Sequence, residues 1–303
     1  MEQEIKNEPL IKSRGYVSSI GSGMRLPLRH PLGFLRQVWP VVLTAFVVTA
    51  LVGNMMADDC WLFFNMGFAD GLTTHDLLSL PLLKVMGWLG LNGLMMCVLT
   101  GVVAYQMKRY AELNYLPSVQ PWKVAGLMLP TLRRSAVLFV VGYAVLAVLA
   151  VLSLFLLPHR AWALAVFTFI SLILSFVLSI GGMRYLMSDN SRLSSMAWPI
   201  VHITRTGGAF ATWIVCGMVF VLVTMVGFIP ALCCTYVGGM SDMAVLTGDG
   251  TDLPGSFVYV RALAFGLGII TESIALLFFI VPLAFSWGAQ TAIENEGENG
   301  TQE

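Results

Sequence analysis

Six stretches of the chain are predominantly apolar: 38–56, 83–107, 135–157, 162–187, 208–232 and 265–289. A helix needs roughly 20 apolar residues to cross a bilayer, and these runs meet that length. Within them apolar residues follow one another without a two-residue alternation. A membrane β-barrel would show segments of about ten residues with period two. The pattern therefore predicts an all-α fold, a polytopic membrane bundle of six transmembrane helices.

Between the runs a second pattern recurs. Trp122–Leu129 is a short amphipathic stretch, followed by Pro130, the basic pair Arg133 and Arg134, and then 23 uncharged residues from Ser135 to Leu157. This reads as a helix lying on the membrane surface, a turn, and a helix that crosses. Looser versions begin near Leu28, where Leu28, Leu32, Leu35 and Trp39 form the stripe, and near Leu193, where Leu193, Met196, Ala197, Ile200, Val201 and Thr204 do. Each has a proline near its entry (Pro31, Pro130, Pro199) and a tryptophan (Trp39, Trp122, Trp198). Such stripes place apolar side chains at the acyl boundary and basic groups against anionic headgroups. Arg29, Arg36, Arg133, Arg134, Arg192 and Arg205 are the candidate headgroup contacts. The expected layout is a cytoplasmic arm over 1–27, a six-helix transmembrane domain over 28–290 with amphipathic interfacial helices on its cytoplasmic side, and a disordered acidic tail over 291–303.

Charge supports this picture and orients it. Only 11% of the 303 residues are charged, against 57% hydrophobic. Soluble domains carry about a quarter charged residues, so most of this surface must face lipid. Fourteen of the seventeen lysines and arginines fall on the N-terminal arm and the connections after the second and fourth runs; only Lys84, Arg160 and Arg261 fall on the other side. That asymmetry predicts both termini in the cytoplasm and suits a bacterial inner membrane. The first 37 residues lack the short apolar core of a cleaved signal peptide, so the first crossing helix is expected to target the chain. Net charge is zero, which gives no reason to expect nucleic acid as a partner.

The outer connections are expected to be loops. Residues 57–82 mix Trp61, Phe63, Phe64 and Phe68 with acids, which suits the headgroup level. Residues 233–264 contain Gly238-Gly239 and Gly248-Asp249-Gly250, turn chemistry in an expected mobile loop. Cys60, Cys233 and Cys234 all fall near that face, so a disulfide from Cys60 to Cys233 or Cys234 is a candidate. Cys97 and Cys216 sit in spans as small apolar fillers.

Candidate chemistry is sparse. Glu272 is the one acid well inside a predicted span, and an intramembrane carboxylate is a functional-site hypothesis by default. The plainer reading pairs it with Lys84 or Arg261. Asn92 lies mid-span among Gly87, Gly90 and Gly93, a smooth face on which a helix could pack while the amide bonds across; a substrate contact is the sharper reading. Pro230 and Pro282 could free carbonyls in their spans. The four histidines lack metal-ligand spacing, and no P-loop, dinucleotide fingerprint or nucleophile elbow occurs. No metal site and no cofactor are expected.

The stretches Trp122–Val141, Ser195–Val215 and Pro31–Val48 give the chain a layout that resembles uncharacterised bacterial six-helix membrane proteins, including those similar to the membrane domain of glycerophosphodiester phosphodiesterases. The resemblance implies architecture and no catalytic residues. The resulting expectation is a non-enzymatic membrane module that organises lipids, through anionic headgroups, or a membrane-protein partner. The alternative is a transporter of a small substrate, ion or lipid that uses Glu272 and Asn92.

Overall fold

The computed structural model describes residues 8–69, 80–116, 121–156, 160–188, 193–202, 207–248 and 253–300. The described residues are mostly helical, and no strand occurs among them. The helices are α1 (Tyr16–Arg29), α2 (Pro31–Ala69), α3 (Leu80–Leu113), α4 (Pro121–Leu156), α5 (Arg160–Met187), the single turn α6 (Trp198–Val201), α7 (Gly207–Thr247) and α8 (Phe257–Gly300), with a 3-10 turn at Leu193–Ala197. Six of them, α2, α3, α4, α5, α7 and α8, are long and apolar enough to cross a membrane. The chain is an integral membrane protein of the all-α, polytopic class. The helix ends have local causes. Asn114 adopts φ 57° and its N–H bonds back to the carbonyl of Tyr110 at 2.8 Å, closing α3. Gly248 at φ 80° follows α7. Both are left-handed residues that stop a helix just past its end.

The helices run further than the apolar pattern alone predicts. The loop expected from residue 57 is helical to Ala69, and no proline interrupts that stretch. The loop expected over 233–264 is largely helix, because α7 continues to Thr247 and α8 begins at Phe257. Pro130 makes no turn; it lies inside α4. A helical proline costs the carbonyl four residues earlier its partner, and that residue, Gly126, is exposed with open space around it, where other donors can reach. The tail expected to be disordered is helical to Gly300. Of the three expected surface helices, the first stripe, from Leu28, falls at the end of α1 and the start of α2, and the second, Trp122–Leu129, is continuous with the rest of α4. The third is the 3-10 turn plus α6.

The chain divides into two compact units. Unit 1 comprises 1–38, 97–219 and 276–303; unit 2 comprises 39–96 and 220–275. The helix α8 contributes to both and is the most buried: 61% of its apolar window is enclosed, against 11–33% for the other five.

In unit 2 its small residues receive bulky neighbours. Gly266 meets the ring of Phe46 from α2, and Gly268 the ring of Phe228 from α7. Reciprocally, Gly53 of α2 faces the Phe265 ring and Gly227 of α7 faces Thr271. Ala57, Ala231, Ala264 and Phe265 form the buried cluster, with Trp88 edge-on to Phe265 at 5.9 Å. Arg261 donates to Asn54 and Asp58, both at 2.7 Å, which gives the charged stretch of α2 a cation to face.

In unit 1 the contacts reach backbone. A Cβ on Gly23 of α1 would strike the backbone of Pro282, one on Gly288 the carbonyl of Leu10, and one on Gly181 of α5 the carbonyl of Met196. Leu10, ahead of α1, is 1% exposed. The Tyr110 hydroxyl donates to the Glu8 carbonyl at 2.7 Å, and the Tyr110 ring lies 6.2 Å from Phe285. Arg184 of α5 makes a two-pronged ion pair with Glu294, at 3.0 and 3.2 Å, while stacking 4.5 Å over Trp198. That pair ties α8 at Glu294 to α5.

The glycines of α3 behave differently. Among the described residues, Gly87 and Gly90 have no neighbour within 4 Å of an added Cβ, so no close helix approach is seen at these two. Gly181→Ala and Gly288→Ala are expected to lower stability by about 1–3 kcal/mol through overpacking against backbone. Gly87→Ala and Gly90→Ala should be neutral or slightly stabilising, because alanine favours helix. Thermal unfolding of the four variants in one detergent tests the contrast; equal losses would contradict it.

Candidate functional site

Glu272 and Asn92, drawn from the sequence on separate grounds, are brought together in unit 2. Asn92 Nδ2 donates to Glu272 Oε2 at 3.2 Å. Glu272 is buried at 9% exposure and Asn92 is half-buried. Around them α8 keeps its own hydroxyls occupied: Ser273 donates to the Ile269 carbonyl and Thr271 to the Gly268 carbonyl, each at 2.7 Å. Two buried polar atoms close by on α3 have no hydrogen-bond partner among the described residues, Asn92 Oδ1 and Trp88 Nε1. They lie one helical turn apart, on one face.

The expected pairing of Glu272 with Lys84 or Arg261 is not what forms. Arg261 is taken by Asn54 and Asp58, Lys84 is exposed, and among the described residues no ion pair reaches Glu272. A charged carboxylate at the centre of a spanning helix costs at least about 2.5–3.5 kcal/mol. One neutral amide donor offsets part of that cost. Trp88 was not singled out by the sequence; its spacing of four from Asn92 was the available signal.

The candidate headgroup arginines divide into two kinds. Arg29, Arg36 and Arg133 are exposed. Arg134 turns inward instead. Its Nη1 donates to the carbonyls of Tyr185, at 3.2 Å, and Ser188, and its guanidinium lies over the Tyr185 ring at 5.5 Å. It caps the carbonyl end of α5, where a cation opposes the helix dipole. Arg192 and Arg205 lie outside the described residues. Cys233 and Cys234 are free thiols, and the side chain of Cys60 lies outside the described residues, as does the bridge expected from it. His202 stacks on Trp198 at 5.1 Å.

One polar feature was not anticipated. Ahead of α1, Glu8, Lys12, Ser13, Arg14, Gly15 and Ser18 line a cavity of about 380 Å³. Arg14 lies over the Phe285 ring at 5.1 Å and 3.7 Å from the Glu8 carboxylate. Burial pulls its guanidinium below the usual arginine value, and Glu8 opposes that shift. Arg25 and Arg29 stand exposed further along α1.

The chain matches no protein-family model, no curated protein and no solved structure. The roles of its residues therefore rest on this geometry.

The division of the arginines is testable. Arg134→Gln should cost about 1.5–3 kcal/mol of stability, the range for hydrogen bonds to a charged group. Arg133→Gln should stay within about 0.5 kcal/mol, as for other exposed substitutions. Thermal midpoints of the two variants measure the difference, and a tolerated Arg134→Gln would remove the capping role.

Proposed function

We propose that this protein is a non-enzymatic membrane module that organises lipids or a membrane-protein partner, engaging anionic headgroups through basic residues beside its spanning helices. One observation carries the reading. Along α1 and the start of α2, Val17, Leu28, Leu32 and Leu35 are exposed large apolar residues, interleaved with exposed Arg25, Arg29 and Arg36. Exposed apolar side chains beside exposed guanidinium groups suit an acyl boundary next to anionic headgroups, where each cation is worth about 1 kcal/mol. The polar cavity at Lys12 and Arg14 supports the same reading, since phosphate oxygens could be met there by cations and hydroxyls. The excess of lysine and arginine on the same connections supports cytoplasmic termini, and with them a bacterial inner membrane.

The transporter alternative draws on the Asn92–Glu272 bond. It ranks second because α3 and α8, which bear the two residues, are continuous helices, whereas substrate sites in transporters are commonly built from broken ones.

Replacing Arg25, Arg29 and Arg133 together with glutamine should reduce retained phosphatidylglycerol or cardiolipin several-fold, with an unchanged thermal midpoint. Native mass spectrometry after gentle extraction measures the retention. Equal retention in the wild type and the triple variant would overturn the headgroup reading.

A further inference from the structure

We propose that Glu272 and Asn92 form a proton-binding site within the spanning helices, in which the hydrogen bond between them reverses direction when the carboxyl group takes up a proton. The observed bond runs from Asn92 Nδ2 to Glu272 Oε2, the direction an ionised carboxylate requires, because it can only accept. It leaves Asn92 Oδ1 buried and without a donor among the described residues. A carboxylic acid supplies the missing donor. With the Asn92 amide turned half a revolution about its terminal torsion, the Glu272 O–H donates to Oδ1. An amide presents a donor and an acceptor on one planar group of nearly equal size, so the exchange needs no movement of either helix. The proton comes from water and returns to water, and no other reactant is consumed.

The surroundings leave this exchange to the pair. On α2, Asp58 and Asn54 are engaged with Arg261 of α8. On α3, Lys84 is exposed and lies eight residues before Asn92, about 12 Å of helix rise away. On α7, Cys234 packs against the Phe265 cluster, about 10 Å of rise from Glu272, beside Cys233, while Asp242 stands further along. None of these groups bonds to the Glu272 carboxyl among the described residues. Trp88 Nε1, buried and without an acceptor among the described residues one turn from Asn92, adds a neutral dipole and no charge. A buried carboxyl whose one hydrogen-bond partner among the described residues can serve either protonation state is suited to gaining and losing a proton, whereas a structural ion pair would fix one state. The proposal stands apart from the headgroup reading and does not require net transport.

Infrared difference spectra of the protein in lipid nanodiscs test it, recorded while the bathing pH is stepped between about 4 and 10, a range that covers ordinary and strongly displaced carboxyl groups. The wild type should show a carboxylic C=O band that grows on acidification, is absent from Glu272→Gln, and has a shifted frequency and midpoint in Asn92→Leu. The thermal midpoint of the wild type should carry a pH dependence that Glu272→Gln lacks. If wild type and Glu272→Gln give the same band at every pH, Glu272 does not exchange a proton and the proposal fails. Asn92→Leu keeps the carboxyl and serves if Glu272→Gln does not fold. A band with unmoved frequency and midpoint in that variant would remove the amide's part and overturn the reversing bond.

Discussion

Close approach of other segments to α8 is the constraint on which both units depend. Spanning helices gain little from apolar burial against one another, since lipid tails are equally apolar. Van der Waals fit and hydrogen bonds must supply the attraction. In unit 2, Gly266 and Gly268 of α8 receive rings from α2 and α7. In unit 1, the backbone at Pro282 and Gly288 lies against Gly23 and Leu10. The result inverts a simple expectation. The most apolar of the six helices, α7, has the least enclosed window, at 11%, while α8 has the most. Apolarity here measures solubility in lipid, and small residues measure packing.

The polar residues of α8 add register to that fit. Arg261 binds Asn54 and Asp58 of α2, Glu272 binds Asn92 of α3, and Glu294 binds Arg184 of α5. Such bonds in membranes average only about 0.6 kcal/mol, so each adds modestly to stability. Their weight lies in specifying which neighbour, and which turn of it, meets α8. The middle contact differs from the other two because its partner is neutral, and that difference makes Glu272 a candidate for chemistry while Glu294 is a tether.

Much of the architecture was legible in the sequence, because a chain in lipid must satisfy its backbone internally and long apolar runs have few alternatives to helix. Helix ends were less legible. Asp58 fell in the loop expected from residue 57, and its counter-charge, Arg261, lies 203 residues away. Pro130 looked like a turn, yet the carbonyl it frees belongs to an exposed glycine. The tail looked unstructured by composition, but Arg184 holds Glu294 from 110 residues away. At the candidate site, residue types alone singled out Glu272 and Asn92, while the bond joining them across 180 residues was beyond local reading. Glycine shows the limit most plainly. Gly87 and Gly90 face open space whereas Gly266 and Gly268 accept rings, and nothing local to either pair tells them apart.

The placement of α8 in chain order bears on how the protein is made. Unit 1 draws on residues from its first segment to 276–303, and unit 2 on 39–96 together with 220–275. Neither can be completed until α8 leaves the ribosome. At about 5–20 residues per second, the residues between the end of α3 and the start of α8 take several seconds or more to synthesise. Throughout that interval Asn54, Asp58 and Asn92 lie in the membrane without the side chains that later bind them. A ribosome stall between α7 and α8 would thus leave each unit without the segment of α8 that it encloses.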